Sequence, residues 1–211
     1  MVCKLRRRVV SRLHLPVFPS MQSNSQRFPL ALISKSPLAA ATPDSTLAMA
    51  TWRPMTDSDI TALMAIADEI HRDLPEAEAV FRERLHLFPE GCLVLVEHDS
   101  VGGYAVSFPI RRGRPPALDA MLGEIPHDAD QYYLHDLAIL PRFRGRGAAA
   151  EGIGKVMEVA KRYPTTCLVS VYGTVPFWER FGFAPEPVDA AMEEKLRGYG
   201  EGATYLTRGN A

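Results

Sequence analysis

Leu134-His135-Asp136-Leu137-Ala138-Ile139-Leu140-Pro141-Arg142-Phe143-Arg144-Gly145-Arg146-Gly147-Ala148 is the stretch on which the reading of this chain turns. The apolar residues up to Leu140 read as a strand. Pro141 to Gly147 reads as a basic, glycine-bearing turn, and Ala148-Ala149-Ala150-Glu151-Gly152-Ile153 opens a helical pattern. Strand, turn and helix N-terminus together form an anion site, because unpaired backbone N–H groups converge there and the helix dipole adds partial positive charge. Arg142, Arg144 and Arg146 add full charges. The natural guest is a phosphate or a pyrophosphate.

Three glycine-loop patterns compete for these residues. A P-loop needs G-x-x-x-x-G-K-[S/T], and Lys155 is followed by Val156, so no hydroxyl is placed to hold magnesium. A dinucleotide fingerprint, G-x-G-x-x-G/A, is formally met by Gly145, Gly147 and Ala150, but it wants an acidic residue at the end of the next strand. That strand, Cys167 to Val171, ends in Tyr172-Gly173, and too little chain follows to complete a doubly wound sheet. The third pattern, R-x-x-G-x-G, is met by Arg142, Gly145 and Gly147 after an L-A-I-L-P strand. It resembles the pyrophosphate loop of the GNAT superfamily of N-acetyltransferases, which bind acetyl-coenzyme A. Val175-Pro176-Phe177-Trp178-Glu179-Arg180-Phe181-Gly182-Phe183 resembles the same superfamily's late helix and following strand, with Gly182 placed as a left-handed cap. The likeness runs from about Thr51 to the C-terminus and looks closest to the arylalkylamine (serotonin) N-acetyltransferase branch.

That resemblance implies an α/β fold: a mixed, mostly antiparallel central sheet with two splayed parallel strands and flanking helices. It implies acetyl-CoA as co-substrate, with no metal. Backbone amides at Leu137, Ala138 and Ile139 would pair with pantetheine. The loop Arg142, Arg144, Gly145, Arg146, Gly147 and Ala148 would hold the pyrophosphate, with Phe177 and Trp178 beside the coenzyme.

The chemistry follows from amine acetylation. A primary amine of pKa ~10 is mostly protonated at neutral pH, so a base must accept its proton before attack, and histidine suits that task. His135 follows Tyr133 on the same face of the strand. In the arylalkylamine branch these two positions carry proton-relaying histidines; here they hold His135 and Tyr133. Asp136 would face the opposite side of a regular strand. The superfamily's usual acid, a tyrosine, corresponds to Trp178, whose indole N–H only donates hydrogen bonds and never ionises in range. Tyr172, Tyr133 or water would then protonate the leaving thiolate.

Composition agrees with one such domain. The 211 residues are 46% hydrophobic, enough for a single sizeable core. Residues 1–50 carry seven Lys/Arg against one acid, while the remainder carries 17 basic and 24 acidic residues. That acidic remainder argues against nucleic acid as a partner. No apolar run is long enough for a membrane span. Cys3, Cys92 and Cys167 give neither a disulfide framework nor a metal spacing; the last two sit in strand-like runs as buried thiols. Residues 1–48 read as a basic, Ser/Pro-rich extension or as a targeting segment, with Met49 as an alternative start. The expected location is cytoplasmic, or organellar if that segment is a transit peptide.

From Thr51 the pattern alternates. A strand at Thr51–Pro54 precedes a helix capped by Thr56 or Asp57, with Ile60, Leu63, Met64, Ala67 and Ile70 inward. A second helix opens at Pro75, with Ala79, Val80, Leu85 and Leu87 inward. A hairpin joins Cys92–Val96 to Gly102–Phe108, and a Pro/Gly-rich loop spans Arg111–Asp130. Then come the Tyr132–Leu140 strand, a helix to about Tyr163, the Cys167–Val171 strand, a helix at Val175–Phe181 and a last strand around Thr204–Thr207. Acceptor contacts are expected from Ile70–Phe88 and Arg111–Asp130, whose Asp73, Glu76, Glu78, Asp128 and Asp130 read as solvated carboxylates. The partner is a small-molecule amine, with homodimerisation left open. Two alternatives stand beside an N-acetyltransferase: a non-catalytic acyl-CoA-binding module, and, more distantly, a nucleotide-dependent oxidoreductase.

Overall fold

The computed structural model describes residues 50–210; the readings placed on residues 1–48, Cys3 included, lie outside the described residues. Seven strands form one sheet: β1 (Thr51–Pro54), β2 (Cys92–Glu97), β3 (Ser100–Ile110), β4 (Gln131–Ile139), β5 (Thr165–Ser170), β6 (Ala184–Pro185) and β7 (Thr204–Gly209). Their order across the sheet is β1-β2-β3-β4-β5-β7-β6. Every neighbouring pair is antiparallel except β4 and β5. Five helices flank it: α1 (Ile60–Ile70), α2 (Glu78–Leu87), α3 (Ala148–Ala160), α4 (Val175–Glu179) and α5 (Ala190–Arg197). The mixed, mostly antiparallel α/β architecture expected from the sequence is the one observed.

Central strands β3 and β4 are buried along most of their length and carry the core, including Tyr104, Val106, Phe108, Tyr132 and Leu134. They are long, apolar and rich in aromatic residues, which suits a pleated surface covered on both sides. The β2–β3 turn at His98-Asp99 is left-handed at both residues (φ 46° and 61°), the twist a tight hairpin demands. Helix α1 follows a 3₁₀ turn at Asp57–Asp59, where Thr56 and Asp59 form a reciprocal capping box.

Two helices depart from the sequence expectation. Helix α2 starts at Glu78 rather than Pro75, and it buries Val80, Phe81, Arg84 and Leu85 while Ala79 is exposed. Helix α5 was not anticipated. It is capped by Asp189, whose carboxylate accepts from the Met192 amide at 2.8 Å, and Met192 is its buried residue.

The β4–β5 pairing positions the site. It covers only Gln131–Thr165, Tyr132–Thr166 and Tyr133–Cys167. Past those three pairs both strands continue without touching, so a V-shaped cleft opens with one free backbone edge on each. A polar knot closes the narrow end. The Gln131 amide donates to Thr165 Oγ1 (3.1 Å) and its carbonyl accepts from the Tyr205 hydroxyl (2.9 Å).

Candidate active site

The cleft is the mouth of a cavity of about 780 Å³ lined by β4 from Leu134 to Ile139, by Leu168 and Val169 of β5, and by the Gly145–Ala149 turn. Three anchors set that turn. The Phe143 ring is buried. Arg144 Nε donates to the Ile139 carbonyl at 2.7 Å. Trp52, on β1, donates its indole N–H to the Ala148 carbonyl at 2.8 Å. Gly145 and Gly147 adopt φ of +81° and +80°, a left-handed backbone that glycine takes without steric cost. A Cβ at either would meet no protein atom within 4 Å, so the space in front of the loop is open. Gly147 is the N-cap of α3, which leaves the amides of Ala148, Ala149 and Ala150 as first-turn donors without helical partners. This is an anion cradle built from backbone.

The arginines divide. Arg144 lines the cavity. Arg142 lies over the Phe143 ring, 4.8 Å from its centroid, and Arg146 pairs with Glu97 at 3.0 Å. Neither of these two guanidinium groups reaches the cavity wall among the described residues, which corrects the expectation that all three arginines converge there.

The deep end of the cleft is set by a bulge. Val106 pairs with Asp136 and the next residue, Ser107, pairs with Leu134, so His135 is an extra residue in the β4 ladder. Regular alternation would turn Asp136 away from His135. With the bulge, both meet the same layer of helices: His135 lies against Glu76 and the Phe81 ring, and Asp136 against His71 at the end of α1. Asp136 therefore belongs to the site, contrary to the reading from a regular strand.

Two histidine–carboxylate pairs result. His135 Nε2 lies 3.0 Å from Glu76 Oε2, and the side chains are only 2% and 7% exposed. His135 Nδ1 has no protein partner among the described residues, and Nε2 meets Glu76 at contact distance without hydrogen-bond alignment. His71 Nε2 lies 3.1 Å from Asp136 Oδ1, with exposures of 17% and 14%. Burial pushes the Glu76 carboxyl up, but His135 and the Asp119 amide outweigh it and hold Glu76 below its ordinary value. Asp136 follows the same logic: burial opposes its charge, and His71 and the Tyr104 hydroxyl overcome the opposition. Both carboxylates are anionic at neutral pH.

Of the five carboxylates read as solvated, Glu76 is the one the fold buries. Glu78 pairs with Arg82, Asp128 with Arg111, and Asp130 accepts from the Arg112 amide. Glu76 also fixes the long loop, accepting from the Asp119 amide at 3.0 Å, while Glu83 accepts from Leu122 and Gly123 at 2.7 and 2.8 Å. Leu118 and Tyr199 complete the wall on this side, and the Tyr199 hydroxyl donates to the Pro116 carbonyl at 3.2 Å.

The remaining expected residues fall as follows. Tyr133 is fully buried behind the wall and does not line the cavity, so its catalytic assignment has no geometric support. Tyr172 lines the cavity in a left-handed conformation (φ 55°), 53% exposed and stacked on His71 with ring centroids 5.9 Å apart. Phe177 and Trp178 also line it. Trp178 packs edge-on against Phe177 and Phe183, which makes it the anchor of α4. Gly182 ends that turn at φ +82°, as a cap glycine does. Cys92 and Cys167 are buried thiols, each pushed up to about 12 by burial. His71 was missed on sequence alone, because nothing local distinguishes it from any polar residue at a helix end.

A free strand edge leading to a backbone anion cradle fits an extended ligand that carries a diphosphate. Residues 57–183 match the family model of the acetyltransferase (GNAT) family. The chain belongs to that family.

Among solved structures, this GNAT chain is similar to the loading GNATL domain of CurA from Lyngbya majuscula, with a TM-score of 0.64 at 12% identity over 76% of this chain and 98% of that one. It is similar to the GphF GNAT-like decarboxylase in complex with isobutyryl-CoA (0.59, 16%, covering 76% and 100%). It is also similar to a chain of the NatC complex bound to Gag peptide and CoA (0.56, 18%, covering 76% and 98%). At such identities the likeness is one of fold. No match was found among curated proteins.

Proposed function

We propose that this protein is an acetyl-CoA-dependent N-acetyltransferase that acts on a primary amine of a small molecule, in the manner of the arylalkylamine branch. One observation carries the reading: a desolvated His135–Glu76 pair stands at the deep end of the same cleft whose mouth is the anion cradle. Free edges of Leu137, Ala138 and Ile139 would hold the pantetheine arm, and amides from Gly145 to Ala149 the diphosphate. Acetyl-CoA supplies the activated acetyl group. His135 accepts a proton from the amine, and anionic Glu76 stabilises the imidazolium that forms, the same division of labour as in a histidine–carboxylate catalytic pair. Tyr172 keeps its proton at neutral pH, since burial and the charges of Asp73 and Asp136 raise it, and so can give that proton to the leaving thiolate. Its left-handed backbone is the kind of local strain found at working sites.

A specific feature favours a second reading. Trp178 stands where the superfamily's tyrosine acid is expected, and a non-catalytic acyl-CoA-binding module would tolerate that residue. The two separate in one assay. Acetyl transfer is followed as free thiol released over a panel of arylalkylamines, polyamines and amino acids. The enzyme reading expects turnover with at least one amine, a fall in kcat of about 10²–10⁴-fold in His135→Ala, and loss of one ionisation from its pH–rate profile. Coenzyme binding with no thiol release from any amine would select the binding module.

A further inference from the structure

His71 has no role in the reaction as drawn so far, yet it lines the cavity, sits against a buried carboxylate and stacks on Tyr172. Proton bookkeeping gives it one. An amine enters as an ammonium ion. As the N–C bond forms and the C–S bond breaks, the nitrogen loses two protons; the sulfur takes one, and the other must leave for solvent. A single buried base handles one of these transfers well, because a proton it accepts stays in the site. The second transfer needs a group that faces both the nitrogen and the solvent.

We infer that the His71–Asp136 pair is this second proton station, removing the first proton from the incoming ammonium and exporting it, while His135–Glu76 accepts the proton released during attack and returns it to Tyr172 after that hydroxyl has protonated the leaving thiolate. The inference rests on the N-acetyltransferase reading and deepens it. Burial divides the two pairs in the required sense: the His135 and Glu76 side chains are 2% and 7% exposed, those of His71 and Asp136 17% and 14%. Asp136 is braced from behind by the Tyr104 hydroxyl, so it cannot swing away from His71. His71 lines the cavity, and its buried Nε2 meets Asp136 Oδ1 at contact distance without hydrogen-bond alignment.

The charges that act on His71 are Asp136 from β4 and Glu76 from the segment before α2; Asp68, Glu69 and Arg72 beside it in the chain, Tyr104 from β3, His135 from β4, Arg144 from the glycine turn and Tyr172 from the turn after β5 share the cavity wall with it. The two charges that act on His71 are both carboxylates, and Arg72 and Arg144 are the cations of the same wall. Burial disfavours the imidazolium form, but Asp136 and Glu76 outweigh it and raise His71 above the ordinary histidine value, which narrows its gap to an ammonium of pKa ~10.

The test uses two primary amines of similar shape that the wild type acetylates, one ordinary and one with fluorines beside the nitrogen, so that it is mostly neutral at pH 7. For the ordinary amine, His71→Gln lowers kcat/KM by about 10²-fold at pH 7. For the fluorinated amine, which has no first proton to remove, the variant is close to wild type. Asp136→Asn shows the same split, and the His71 ring titration followed by NMR falls toward that of a free histidine in this variant, a readout independent of activity. His135→Gln loses activity on both amines. Equal loss of the two amines in His71→Gln, or no loss on either, overturns the second station alone. A wild type that acetylates no primary amine of the panel overturns it together with the transferase reading.

Discussion

His135 and Asp136 are adjacent, and one extra residue in a strand ladder decides that both enter the same cavity. Residue spacing made His135 legible. It could not reveal Glu76 or His71, because each acquires its meaning from a partner on another element. Away from the site, Asp59 shows what a single carboxylate contributes. It receives both Arg53 nitrogens at 2.7 Å, the Thr56 amide at 2.8 Å and the Thr56 hydroxyl at 2.8 Å. The Arg53 guanidinium is the largest cause of a carboxyl held at about 2. Its folded value is depressed, so its stabilisation is complete above the unfolded value near 3.9 and disappears as pH falls through about 2. Arg53 is partly exposed and the pair is screened, so the contribution is about 1–2 kcal/mol. Denaturant unfolding of Asp59→Asn should show that loss at pH 7, with the gap to wild type closing between about pH 4 and pH 2.

Strand β1 and helix α3 illustrate how an element is held in place for a function it does not perform. Trp52 reaches across to the Ala148 carbonyl, and its ring packs against Gly152, where an added Cβ would stand 2.6 Å from the indole. Gly147 is the opposite case, with open space around it and a left-handed backbone. The two glycines should therefore fail differently. Gly152→Ala costs about 1–3 kcal/mol by overpacking and shifts the N-terminus of α3, lowering both stability and coenzyme affinity. Gly147→Val costs about 1–3 kcal/mol through backbone strain alone, yet removes coenzyme binding, because its side chain projects into the cradle. Denaturant unfolding and coenzyme titration of both variants distinguish them. Helix α3 was legible because five of its residues, Ala148, Gly152, Ile153, Val156 and Ala160, form a buried stripe. Helix α5 was not, because Met192 is its buried residue and no stripe forms. The segment before α2 read as helix from Pro75 onward, but its backbone is drawn into the cavity wall by Leu74 and Glu76 instead.

At the scale of the molecule, the backbone ladder between the β1–β4 half of the sheet and the β5–β7 half is three β4–β5 pairs long, supported by the Gln131 knot and by side-chain bridges such as Arg112 to Glu186 and Tyr199 to Pro116. A ligand that adds a strand's worth of contacts to both edges should tighten the whole fold. Coenzyme A at a hundredfold excess over its Kd should add about 2.7 kcal/mol, raising Tm by about 5–10 °C for a domain of this size. ATP and NAD should do far less, and an equal shift with NAD would reopen the dinucleotide alternative. The order of strands and helices other than α5, the basic glycine turn and the position of His135 were properties of the sequence itself. Each depends on periodicity, on a left-handed glycine or on a cap, all of which act over a few residues. The splay of β4 from β5, the bulge at His135, the diversion of Arg142 and Arg146, and the two histidine–carboxylate pairs were decided only in three dimensions. They arise where segments far apart in the chain compete for the same space and charge, and no local pattern records the result of that competition.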